Sequence, residues 1–63
     1  MEFKDKLLYV RAVLKYSQTK MAEELGVSYA TINRWENGIN TPSKTMIVLF
    51  KKYCKKNNIN FED

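Results

Sequence analysis

Between Ser17 and Gly38 the same short pattern is written twice, and it limits what this chain can fold into. Tyr16 precedes Ser17 and Met21 follows, and Val27 precedes Ser28 with Ile32 at the matching offset. A serine hydroxyl at such a position accepts from an orphan amide of the first helical turn, and the flanking apolar pair clamps the entering chain. Each unit therefore starts a helix. Gly26 stops the first after Leu25, because it tolerates positive φ, and Asn37 with Gly38 stops the second. The spacing predicts two helices of about eight residues, from Gln18 and from Tyr29 to about Glu36, joined by a tight turn.

On either side the period stays helical. Phe3, Leu7, Leu8, Arg11 and Leu14 recur at threes and fours, which predicts a first helix from about Phe3 to Lys15, with Lys4, Lys6 and Lys15 on the other side. Met46, Ile47, Leu49, Phe50 and Tyr53 supply the apolar face of a fourth helix, in whose first turn Pro42 is tolerated and which Thr41 or Ser43 can cap. Asn57 and Asn58 make continuation past Lys56 unfavourable. The tail, 57–63, admits a short extended segment, a partial fifth helix or a frayed end.

Sixty-three residues hold one small core. With 44% hydrophobic and 29% charged residues, two Gly and one Pro, the chain has the composition of a soluble globular protein. It contains no His and one Cys, which removes the usual zinc ligands, the usual general base and any intrachain disulfide. Neither a metal, a cofactor nor catalysis is expected. No apolar run approaches the roughly 20 residues of a membrane helix, and Glu2 and Asp5 spoil a signal-peptide layout, so the expected location is cytoplasmic.

Net charge is +4, and its distribution is uneven. Residues 41–56 carry five lysines and no acid, while 17–37 carry two basic and three acidic residues. Charge alone therefore does not describe the middle segment. Lys51, Lys52, Lys55 and Lys56 read as a solvated face that complements the helix dipole. Trp35, at helical spacing from Ile32, reads as core, Cys54 as a small buried or half-buried apolar residue, and Tyr9 and Tyr53 as core edges. Glu23 and Glu24 diverge on their helix and read as exposed.

The stretch SQTKMAEELGVSYATINRWENG, Ser17 to Gly38, resembles the helix-turn-helix of the phage repressor and Cro family, also called the xenobiotic-response-element family. Gln18 begins the second helix, small Ala22 sits at the crossing, Gly26 makes the turn, and Met21, Leu25, Val27, Ile32 and Trp35 occupy buried positions. Leu8, Arg11 and Leu14, the Glu36–Gly38 trio and the Thr41–Ser43 trio extend the resemblance over about residues 3 to 56. It implies an all-α, four- to five-helix, lambda-repressor-like domain over 1–56, followed by a C-terminal tail.

The same resemblance implies a function. Exposed positions at the start of the third helix suit a major groove: arginine pairs with guanine, asparagine with adenine, and a methyl group with thymine. The base-reading candidates are Tyr29, Ala30, Thr31, Asn33 and Arg34, with the larger Tyr29 also able to reach a phosphate. Phosphate contacts are expected from Gln18, Ser28, Asn40, Thr41, Ser43 and Lys44, several of them near helix N-termini, where free amides attract anions. Arg11 and Glu36 resemble a partly buried, structural ion pair. The implied partner is double-stranded DNA, bound as an inverted-repeat operator by a homodimer formed through Ile59 and Phe61, and the implied role is a repressor. The alternatives are a DNA-targeting domain of a larger protein and a protein-interaction module of antitoxin type.

Overall fold

A computed structural model of the chain describes residues 1–61. Four helices, and no strands, occur among them: α1 (Phe3–Leu14), α2 (Gln18–Leu25), α3 (Tyr29–Glu36) and α4 (Lys44–Lys56). None is long and apolar enough to cross a membrane. Ser17, Ser28 and Ser43 stand in extended conformation ahead of α2, α3 and α4, and their hydroxyls accept from the amides of Lys20, Thr31 and Met46. Each bond satisfies a donor that the helix leaves open.

All four helices also end alike. The chain turns left-handed at Lys15, Gly26, Gly38 and Asn58. The next residue then donates its amide back into the helix: Tyr16 to Arg11 O and Ile39 to Arg34 O at 3.0 Å, Val27 to Ala22 O at 3.0 Å, Ile59 to Cys54 O at 2.8 Å. The preceding amide closes the inner bond, as Asn58 does to Lys55 O at 3.1 Å. These are Schellman motifs, and the residues that follow the turns are Tyr16, Val27, Ile39 and Ile59.

The core comprises Leu7, Val10, Met21, Ala22, Ile32, Trp35, Phe50, Cys54 and Ile59. Phe3 joins two of its parts, edge-on to Trp35 at 5.5 Å and to Phe50 at 4.9 Å between ring centroids. Ala22 is buried, as a close helix crossing requires, and Gly26 takes φ 71°, where another residue would cost about 1 kcal/mol.

Several expectations need correction. The first helix stops at Leu14, because Lys15 itself adopts the left-handed turn. Pro42 lies outside α4, buried ahead of the cap, and Ser43 rather than Thr41 caps, since its hydroxyl faces the Met46 amide three residues on. Leu8 and Leu49 are 42% and 49% exposed. In α1 the stripe through Phe3, Leu7, Val10 and Leu14 meets the core, and Leu8 falls about 100° beyond it. Tyr9 is exposed too, with its ring edge-on to Phe61 at 5.8 Å. Ile59, expected to face a second copy, is 6% exposed and packs in this chain's own core, so it offers no surface to a partner. Beyond Lys56 the described residues form a turn at Asn57 and Asn58, and then an irregular segment against the core.

Candidate nucleic-acid interface

α3 presents one face inward and one outward for a simple reason of spacing. Ile32 and Trp35 are buried three residues apart, which turns Ala30 and Arg34 to solvent, and Tyr29, in the first turn, is exposed as well. Tyr29 is 53% exposed despite its size. Thr31 and Asn33 are half-buried and already engaged. The Thr31 hydroxyl lies 2.9 Å from the Ser28 hydroxyl, and Asn33 receives the Asn37 side-chain amide at its backbone oxygen, 2.8 Å, and at Oδ1, 3.3 Å. Of the five base-reading candidates, three are therefore open and two carry internal bonds.

The C-terminal end of α3 is fixed by charge. Arg11 grips Glu36 with two donors, Nε to Oε2 at 2.7 Å and Nη2 to Oε1 at 3.0 Å, and its Nη1 donates to Tyr16 O at 3.0 Å. Such a fork is stronger and more directional than a single ion contact. The Glu36 side chain is only 5% exposed. Its hydrogen bond, with its charge and against the opposing effect of burial, raises the Arg11 guanidinium above its ordinary value. One network thus ties α1, the turn after it and α3 together.

Gln18 belongs to the same network, which sequence reasoning missed. Its Nε2 donates to Glu36 Oε1 at 2.8 Å. An amide carries two N–H donors, so this bond orients the side chain at the N-terminus of α2 and leaves a second donor. No local signal marks the contact, because the partners lie 18 residues apart. Among the described residues no buried side-chain nitrogen or oxygen lacks a partner.

The remaining phosphate candidates cluster at two helix starts. Ser28 caps α3, and Ser43 caps α4 with Lys44 immediately after it. Asn40, Thr41 and Ser43, in the segment that links α3 to α4, and Lys44, which begins α4, are all exposed. Ile39 leads that segment and is 69% exposed, a second feature that sequence reasoning passed over. Its signal was available: an apolar residue directly after the helix-stop pair Asn37, Gly38.

A family model described as "Helix-turn-helix" matches residues 7–59, most of the chain. No curated protein and no solved structure gives a significant match.

Proposed function

The chain belongs to the Cro/repressor-type helix-turn-helix family, the xenobiotic-response-element family, whose members bind DNA, and on that premise we propose that it is a transcriptional repressor that occupies an operator. The observation that carries the reading is the division of labour in α3. Its inner face and C-terminal end are locked by Ile32, Trp35 and the Arg11–Glu36 fork, while Tyr29, Ala30 and Arg34 are held outward without internal hydrogen bonds to satisfy.

In this reading α3 enters the major groove. Arg34 reads guanine, Ala30 meets a thymine methyl, Tyr29 contacts a base edge or a phosphate, and Thr31 and Asn33 contribute where their internal bonds allow. Gln18, oriented by Glu36, uses its second amide hydrogen on a phosphate. Ser28 and the Asn40, Thr41, Ser43, Lys44 segment hold the flanking strand. One such helix reads few base pairs, so two copies bind an inverted repeat with half-sites about 34 Å apart. Because Ile59 is occupied in the core, a second copy must meet other residues than that one.

Selection of the purified protein from a random DNA pool tests this. An enriched inverted repeat is expected. Arg34→Ala should then weaken the selected site more than random DNA, whereas Lys44→Ala should weaken both alike and lower the salt slope by about 1. Binding that fades with salt and enriches no sequence would reject base reading and favour the protein-interaction module.

A further inference from the structure

Between the start of α1, α4 and the segment after it lies an open groove with a cavity volume of about 410 Å³. Its walls are apolar, formed by the half-buried Phe3, Ile47 and Phe61, and the buried Phe50, Cys54 and Ile59 form the floor. Lys51 and Lys55, one turn apart on α4, stand exposed at its edge, and among the described residues no carboxylate lines it. The Lys6 ammonium lies 5.4 Å from the centroid of the Phe61 ring. Burial pushes the Cys54 thiol up, so it adds no negative charge to the floor at neutral pH.

We infer that this groove binds a small anionic amphiphile, an apolar body ending in a carboxylate or comparable anion, with the body against Phe3, Ile47 and Phe61 and the anion at Lys51 and Lys55. The volume falls within the range of about 300–1,000 Å³ typical of small-molecule sites, and such sites pair apolar walls with a few charged groups. Charge selects among the occupants. A second copy would bring another α4 with five lysines and no acid between 41 and 56, like against like, whereas an anion finds complementary charge. The inference is independent of base reading. It has one structural consequence, since Phe3 packs on Trp35 of α3 and a ligand against Phe3 reaches the ring that seats that helix.

Decanoate is the probe, with decanol as the uncharged control, titrated into the DNA-free protein below micelle-forming concentrations and followed by NMR shifts. Saturable shifts are expected at Phe3, Cys54, Ile59 and Phe61. Lys51→Gln with Lys55→Gln should weaken decanoate about fivefold, the scale of two partly exposed ion contacts, while leaving decanol unchanged. Asn60→Trp, at an exposed position on the groove's edge, should block both without touching the core. Shifts confined to lysines and linear in ligand would overturn the proposal, as would equal binding by the double lysine variant. Shifts at the groove that depend on protein concentration without ligand would assign it to a second copy and overturn it likewise. Because no DNA is present, failure here leaves the operator reading to its own test.

Discussion

After α3 the chain runs Asn37, Gly38, Ile39, and after α4 it runs Asn57, Asn58, Ile59. Both segments make the same left-handed turn and the same pair of backbone bonds, yet Ile59 is 6% exposed and Ile39 69%. The shared motif shows that a helix stop is a local event, decided by which residue tolerates positive φ and which amide folds back. The difference shows that the fate of the apolar residue is not local. Ile59 comes off α4 against the core beside Cys54, whereas Ile39 begins the exposed segment that runs to Lys44. One stop finishes the core and the other opens a surface.

Truncating both isoleucines separates the two helix ends. Ile59→Ala should destabilise the fold by about 2–4 kcal/mol, through lost burial and the cavity left behind, and Ile39→Ala should fall within about 0.5 kcal/mol in urea unfolding. Equal losses would mean that the two ends are equivalent. Next in size comes the lock on α3. Glu36→Ala should cost about 2 kcal/mol, because it strands a partly buried guanidinium and frees Gln18, and Glu36→Gln should recover part of it. Full stability of Glu36→Ala would show that the fork does not hold α3.

Exchanging the turn residues probes the local part of each helix stop. Gly38→Asn and Asn58→Gly should each change stability by less than about 1 kcal/mol, since asparagine and glycine both enter the left-handed region. A larger loss at Gly38 would point to its close neighbour: a Cβ there would lie 3.4 Å from Lys4 Cδ. Ile39→Lys should leave unfolding unchanged and strengthen binding to all DNA, raising the salt slope by up to about 1. An unaltered slope would remove the segment after α3 from the DNA surface.

A pH titration gives the smallest effect. Burial raises the Cys54 thiol from its ordinary 9.0, and burial with the nearby Tyr16 and Glu24 groups raises the Tyr53 hydroxyl from 10.0. Tyr53 donates to Glu24 Oε1 at 3.1 Å. In both cases the folded state keeps its proton longer than the unfolded chain. Their contribution is fully present below pH 9.0 and is lost as pH rises from there through the folded-state values. Urea midpoints should therefore be flat near neutrality and fall above that pH, less steeply in Cys54→Ala. A midpoint that rises above pH 9.0 would contradict both shifts.

How the site is assembled follows the same division. The caps at Ser17 and Ser28, the stop at Gly26 and the inward face of α3 were legible, because each rests on residues within one or two turns of one another. The Arg11–Glu36 pair was legible only through family resemblance, and Gln18's place in it was not, since Glu36 lies 18 residues away. Lys15 hid a helix end, because a lysine gives no hint that it will adopt positive φ. Leu8 and Leu49 misled because periodicity marks an apolar side of a helix without saying how wide the covering surface is.

By itself, then, the sequence determined four helices, with a partial fifth left open, most of their starts and stops, and which residues of α3 face inward. These are short-range matters of hydroxyls, amides and φ angles, and they do not wait for the rest of the chain. Only the tertiary structure decided that Ile59 completes the core while Ile39 does not, that Gln18 joins the ion pair, and that Phe3 links Trp35 to Phe50. Burial and cross-chain hydrogen bonds depend on where distant helices meet, and that is set by how all four pack at once.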